Sequence, residues 1–338
     1  MSFEQFATYK EIKSQTDAWS QALDVATRSH LPAAGDYEQV IFTGCGSTYY
    51  LSLAAAALYQ ELTGCPARAV PAGELVLNPR TVLTDRKTLL VAISRSGTTS
   101  ETVKAVEDFK ARGRGDVVVV SNYEEVLSKL GDVCIVIDKG QEESVAQTRA
   151  FASMYVAVSV LCARMAGRSD LTESMGRLPE VGNRVIGNYE MSAKVMGENL
   201  DFDRFYFLGS GTRHGLACEV NLKMKEMTLT HSEAFHFLEF RHGPMSMVSQ
   251  TAVVLGLLSD ANRAHETRVL SEMKTLGGTV LGLGEQEAEI PFKSGIPESV
   301  RGVLYLPVLQ LMAFYRSIAK GLNPDRPNHL SAVVQLDL

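Results

Sequence analysis

The sequence predicts an α/β protein made of two tandem, doubly wound parallel sheets. Short runs rich in Val, Ile, Leu and Phe alternate with longer helical stretches, the mark of βα units around a parallel sheet. One such run, Gln39-Val40-Ile41-Phe42, ends in the turn Gly44-Cys45-Gly46-Ser47-Thr48. About half a chain later the pattern restarts: Phe205-Tyr206-Phe207-Leu208 ends in Gly209-Ser210-Gly211-Thr212. Two equivalent strand-to-helix turns at that separation signal an internal duplication.

The elements follow in order. Residues 5–30 read as a helix, with Phe6, Ile12, Trp19, Leu23 and Val25 set among polar residues. After the first strand an apolar helix runs from about Tyr50 to Leu62. Strands are expected at Thr88–Ile93, Asp116–Val120 and Asp132–Ile137, with a helix at Glu101–Phe109. A helical stretch near 153–200 joins the halves. In the second half a long helix follows Gly211, with strands expected at Ala252–Leu258, Thr279–Leu283 and Val303–Leu306. Pro324 and Pro327 mark a non-helical tail. The expected organisation is an N-terminal helical segment (1–34), a first domain (35–165), connecting helices (166–200) and a second domain with its tail (201–338).

Composition narrows the function. The chain has 338 residues, 33 basic against 39 acidic, and a net charge of −6. No basic block points to nucleic acid as a partner. Met1-Ser2-Phe3-Glu4-Gln5 lacks the basic-then-apolar order of a signal peptide. No apolar run reaches the ~18 residues a spanning helix needs; the longest candidate, Met154–Leu161, is short and precedes Cys162 and Arg164. The five cysteines (45, 65, 134, 162 and 218) form no CxxC pair. That argues against a disulfide framework and a zinc site, and for a reducing cytosol.

The segment Ile93-Ser94-Arg95-Ser96-Gly97-Thr98-Thr99-Ser100-Glu101-Thr102 runs from a buried strand into a helix start. Free N–H groups and a partial positive charge at a helix N-terminus suit a phosphate. The hydroxyls of Ser94, Ser96 and Thr99 add donors, and Gly97 lets the backbone approach. No lysine stands where a P-loop needs one. The same residues also read as a cap and a turn. The turn at Gly44–Thr48 favours a ligand, because open parallel sheets bind at the carboxyl ends of their strands.

On the helix after Gly211, Leu216, Val220, Met224 and Met227 share one stripe at 100° per residue. Glu219, Lys223 and Glu226 lie along its edge, and Lys225 faces away. A carboxylate at a buried edge suits a general base. On pattern alone, ordinary i,i+4 and i,i+3 ion pairs on a solvated flank read better. Residues 231–244 then bring three histidines, two acids and an arginine among aromatics. Their spacing does not fit a HExxH metal site.

Ser94-x-Ser96-Gly97-x-Thr99 resembles the phosphate loop of the sugar isomerase (SIS) family, and Gly44-Cys45-Gly46-Ser47-Thr48 resembles its first-strand turn. Glu143-Ser144-Val145-Ala146-Gln147-Thr148-Arg149-Ala150-Phe151 resembles the sugar-lining segment of glutamine–fructose-6-phosphate amidotransferases. Arg241-His242-Gly243-Pro244 follows the helix as it does in SIS isomerases and amino-sugar deaminases. The resemblance spans roughly residues 35 to 335. It implies two SIS-type, flavodoxin-like domains and a phosphosugar as small-molecule ligand. Thr48, Ser94, Ser96 and Thr99 would bind phosphate, with Ser47 and Arg95 nearby, and Gln147 would touch the sugar. Glu226 would move a proton between sugar carbons 1 and 2. Lys223 would hydrogen-bond the reacting oxygens, and His242, from a neighbouring subunit of a homodimer, would open the ring. No redox cofactor and no metal is implied.

One position departs from the family. The tail Asn323-Pro324-Asp325-Arg326-Pro327-Asn328-His329-Leu330-Ser331-Ala332-Val333-Val334 carries Ala332 where the amidotransferases place an imine-forming lysine. The sequence begins at the isomerase half, so a protein without a glutaminase domain is expected. The expectation is therefore an amino-sugar 6-phosphate deaminase or ketose–aldose isomerase. A fructosamine 6-phosphate deglycase and a non-catalytic phosphosugar sensor are the alternatives; retention of both Glu226 and His242 favours an enzyme. A dinucleotide enzyme would need glycine at position 49, where Tyr49 stands. The sugar epimer and the carbon 2 substituent stay open.

Overall fold

The computed structural model describes residues 3–333; Met1, Ser2 and the tail from Val334 onward lie outside them. In chain order the elements are α1 (Ala7–Arg28), β1 (Gln39–Gly44), α2 (Ser47–Thr63), β2 (Ala67–Pro71), α3 (Ala72–Leu77), α4 (Pro79–Val82), β3 (Thr88–Ser94) and α5 (Ser100–Ala111). Then come β4 (Val117–Ser121), β5 (Val133–Val136), α6 (Arg149–Met165), α7 (Ser169–Met175) and α8 (Leu178–Glu198). The second half adds β6 (Arg204–Leu208), α9 (Thr212–Thr228), β7 (His231–Phe235), β8 (Ala252–Leu257), α10 (Arg263–Thr275), β9 (Thr279–Gly284), β10 (Ile290–Pro291) and α11 (Leu306–Ala319).

The strands form two five-stranded sheets, ordered β2-β1-β3-β4-β5 and β10-β9-β8-β6-β7. Every pairing is parallel, with Ile41 opposite Leu90 in the first sheet and Phe207 opposite Leu255 in the second. Read from β7, the second sheet repeats the strand order of the first. Both are doubly wound, as the sequence predicts, with the order reversing between β1 and β3 and between β6 and β8.

The chain divides into two compact units. One comprises Ser14–Glu142, Arg149–Gly176 and the residues from Ser331; the other comprises the residues up to Lys13, Glu143–Thr148 and Arg177–Leu330. In the first, β3 and β4 are buried along their whole length. Covered on both faces, they read as continuous apolar runs rather than alternating ones. Ile41, Leu90, Val117 and Val119 pack with Val106 and Phe109 of α5. In the second, Tyr206, Leu208 and Val254 pack with Val269, Leu270 and Met273 of α10. The start of α1 belongs to this unit: Asp325 accepts the N–H groups of Ala7 (3.0 Å) and Thr8 (2.8 Å) and so caps the helix from the far end of the sequence.

The structure differs from the sequence reading at the helices α3, α4 and α10, which the reading did not place, and at four expected or missed strands. Val303–Leu306 is not a strand: a 3₁₀ turn at Gly302–Tyr305 leads into α11. Pro307 in the first turn of α11 has the fixed φ that starts a helix, and a short apolar run cannot be told from a strand by periodicity. The outermost strands β2, β7 and β10 escaped notice. They are short, and they include the polar His231-Ser232-Glu233 and the prolines Pro71 and Pro291. Edge strands take such residues because one side makes no ladder. The apolar window Gly302–Ala319 is long and apolar enough to cross a membrane, but 89% of it is buried inside the protein. It is a core helix, and Gln310 and Arg316 interrupt it.

Candidate active site

The two duplicated turns share one backbone. Gly46 and Gly211 precede α2 and α9 with φ of 55° and 59°, a region glycine enters without cost. Gly44 and Gly209 leave no room for a side chain: a Cβ would lie 2.4 Å from Thr48 Oγ1 at one and 2.4 Å from the Arg213 carbonyl oxygen at the other.

In the first turn, Ser47 and Thr48 begin α2 and are buried. The Thr48 hydroxyl accepts the Cys45 N–H at 2.9 Å and lies 2.9 Å from the Cys45 carbonyl, which ties the turn shut. The adjacent loop after β3 holds the other candidates. Ser94 Oγ accepts the Gly97 N–H at 3.1 Å and lies 3.4 Å from Thr99 Oγ1. Ser96 Oγ accepts the Thr98 N–H at 3.2 Å. Thr99 stands at the N-cap of α5, yet its side chain makes no capping bond. A plain cap is therefore not what this threonine does. Ser96 and Thr99 are half-buried, so their hydroxyls are reachable. Arg95 points elsewhere: its buried guanidinium donates to the Ala332 carbonyl at 2.7 Å and pairs with Glu142 at 3.8 Å. It anchors the tail next to the position where the amidotransferases carry lysine.

The other unit holds Gln147, Lys223, Glu226 and His242. Gln147 follows Val145, whose N–H donates to the Asp325 carbonyl at 3.0 Å. The Gln147 Oε1 atom is buried without a hydrogen-bond partner among the described residues, as a group awaiting a ligand would be. On α9, Leu216, Val220, Met224 and Met227 are buried as the stripe requires, and Lys225 is exposed. The charged edge is not a solvated flank. The Lys223 side chain is 1% exposed and lies 3.4 Å from the Glu219 carboxylate, which is fully buried. On its other side Lys223 donates to Glu226, which alone of the three keeps 19% of its side chain exposed. Burying Lys223 and Glu219 costs several kcal/mol per ion, so the pair is weak evidence for stability. Sequence reasoning placed Glu219 on the edge but gave it no role; its i,i+4 spacing from Lys223 was the available signal.

His242 follows α9 and β7 in the chain. It is exposed in the segment after β7 and lines an open cleft of about 570 Å³ with Arg241, Met245, Glu272, Thr275 and Leu276. Neither Glu226 nor Lys223 lines that cleft. Among the described residues no group of three His, Cys, Asp or Glu side chains is placed to hold a metal ion.

Comparison with known proteins agrees with this architecture. The SIS domain family model matches residues 36–164 and 201–290. The glutamine–fructose-6-phosphate aminotransferase (isomerizing) of Pyrococcus horikoshii is 28% identical over 315 residues, covering 89% of this chain and 52% of that protein. The chain thus spans about half the length of the curated relatives it matches. Among solved structures, a glucosamine-6-phosphate deaminase from Thermotoga maritima is 27% identical with a TM-score of 0.85, covering 98% of this chain and 100% of that one. A tagatose-6-phosphate ketose/aldose isomerase from Escherichia coli, 21% identical, shares the fold with a TM-score of 0.81 over 96% of this chain and 95% of that one. With two parallel sheets, a glycine turn heading each, and family matches over more than half its length, the chain belongs to the SIS domain family.

Proposed function

We propose that the chain is a cytosolic enzyme that acts on an amino-sugar 6-phosphate, as a deaminase or ketose–aldose isomerase. The observation that carries this is Lys223 held between two carboxylates on α9, with Glu226 the one that reaches solvent. The hydroxyls of Ser94, Ser96 and Thr99 and the start of α5 take the phosphate; Ser47 and Thr48 shape the neighbouring turn, and Arg95 holds the tail. Gln147 offers its buried amide oxygen to the sugar. His242 moves a proton between the ring oxygen and the anomeric hydroxyl, which opens the pyranose. Glu226 then takes the proton from carbon 2 and returns it to carbon 1, a transfer general acid–base catalysis speeds by ~10²–10⁴. The Lys223 ammonium stabilises the oxyanion that develops between those steps. The 2-amino aldose becomes a 2-imino ketose; water adds at carbon 2, the C–N bond breaks and ammonia leaves. Ala332 has no amine to form an imine with a ketose, which supports hydrolysis over amino transfer. The exposed setting of His242, in a cleft that neither Glu226 nor Lys223 lines, is what a homodimer in which each subunit lends the histidine to its partner would have.

The test is an assay of two releases. Ammonia from glucosamine 6-phosphate supports the deaminase. Free amino acid from a fructosamine 6-phosphate would replace it with a deglycase. Neither release, with exchange of the carbon 2 proton, would leave a plain ketose–aldose isomerase; neither release and no exchange, with saturable phosphosugar binding, would make the chain a sensor.

A further inference from the structure

The second sheet has its own switch point, between β6 and β8, and charged side chains fill it. The turn after β6 supplies Arg213, the second residue of α9. Its guanidinium side chain is 9% exposed and donates through Nη1 to Glu298 Oε1 at 2.5 Å. Its Nε has no hydrogen-bond partner among the described residues. The loop after β8 supplies backbone donors: the N–H groups of Asp260 and Ala261 reach Glu298 Oε2 at 2.8 Å and 3.3 Å. One residue earlier, the Ser259 N–H and hydroxyl donate to Glu266 Oε2 at 2.6 Å and 3.0 Å. Glu266 also lies 3.7 Å from Arg213 Nη2, with its Oε1 otherwise unbonded.

The Glu298 carboxylate thus receives an arginine from one turn and two successive N–H groups from the other. That is the set of partners an oxyanion takes between two strand ends of an open parallel sheet. We propose that Glu298 is a built-in anion. It occupies, in the second domain, a site whose natural complement is a phosphate or a similar tetrahedral oxyanion, and so keeps that domain from binding one. Glu298 is 25% exposed, so the place it fills can be reached from solvent. The assignment goes beyond the reading of the Ser94–Thr99 loop and does not depend on it.

The experiment compares wild type, Glu298→Ala and Glu298→Gln by thermal melting in chloride and in inorganic phosphate at matched ionic strength, with bound phosphate counted by equilibrium dialysis. Glu298→Ala is expected to melt lower in chloride, to recover in phosphate by more than wild type gains, and to bind one more phosphate per chain. An equal response to phosphate in the two proteins, with no added site, overturns the proposal. Should Glu298→Ala fail to fold, Glu298→Gln decides. It keeps the size and an acceptor but no charge, and melting unchanged from wild type would show that no anion is needed there. Repeating the count in a Ser96→Ala/Thr99→Ala background separates the two loops. A wrong reading of the first loop leaves phosphate binding unchanged by that pair, while the site gained on removing Glu298 persists in either background.

Discussion

The two halves share a strand order and a glycine turn, yet the helix after each turn is built from opposite chemistry. Helix α2 buries Leu51, Ala54, Ala55, Ala56, Leu58 and Tyr59, and no ionisable carboxylate enters its buried face. Helix α9, in the equivalent place, buries Arg213, Glu219 and Lys223. The loops that follow β3 and β8 differ in the same sense. Hydroxyls crowd the first beside the Arg95–Glu142 pair, whereas at the second the Asp260 and Ala261 N–H groups and Arg213 meet on Glu298. A duplicated backbone fixes where strand ends and helix starts lie, and side chains then decide what each copy does there. On the proposed reading the first copy keeps anion binding, and the second, relieved of it, carries the acid–base group.

The sharpest way to break this division is to neutralise the acid–base copy alone. Glu226→Gln is expected to lower turnover at least ~100-fold, the low end for general acid–base catalysis, with folding and phosphosugar binding nearly intact. Gln keeps the size and a partner for Lys223. Lys225→Gln, one residue away and exposed, is the matched control and should behave like wild type. Exchange of the carbon 2 proton with deuterated water should vanish in the Glu226 variant only; exchange at the wild-type rate would place the base elsewhere. His242→Ala should also lose activity. Mixing its subunits with Glu226→Gln subunits should restore part of it, because a hybrid dimer holds one site free of both lesions. No recovery after confirmed subunit exchange would mean that each subunit uses its own histidine.

The converse change empties the anion-binding copy. Ser96→Ala with Thr99→Ala should weaken phosphosugar binding by roughly 2–4 kcal/mol, at ~1–2 per charge-assisted bond. Because neither hydroxyl caps α5, the melting temperature should hardly move. Calorimetry that finds unchanged affinity would remove the loop from the site, and a large loss of stability would restore it to a structural role.

The same asymmetry governs what the sequence disclosed. Central strands such as β3 and β8 are buried on both faces, so an apolar run was enough to find them. The edge strands β2, β7 and β10 carry polar residues and prolines that read as loop. Hydroxyl clustering made the loop after β3 conspicuous. Its counterpart after β8 passed unnoticed, because Glu298 and Arg213 are 85 residues apart in sequence and meet only in the fold. Periodicity put Glu219, Lys223 and Glu226 on one edge of α9. It could not tell that the edge is buried, since that depends on what packs over it.

The smallest expected effect lies at the second turn again, at His214. Its ring stacks on that of His236, with centroids 3.8 Å apart and planes at 18°. Its Nε2 lies 3.6 Å from Cys218 Sγ, and the Gly209 backbone offers the ring a hydrogen bond that opposes part of the downward shift. Burial, and then the neighbouring His236, push the imidazole down to about 4. The first copy has Tyr49, a phenol in place of the imidazole, at the equivalent position. Between the ordinary value of about 6.5 and about 4, the unfolded chain takes up a proton that folded His214 refuses. Its contribution is therefore complete above about pH 6.5 and is lost as pH falls through that window. The ring is only partly buried, so solvent screening reduces the effect to about 1–2 kcal/mol. His214→Phe keeps a flat ring against His236 and removes the titration. Urea unfolding at about pH 7 and about pH 4.5 should show wild type losing that much more stability than the variant, all other groups being common to both. Equal losses would mean that His214 already carries its proton in the folded protein. The second turn would then be no more sensitive to acid than the first.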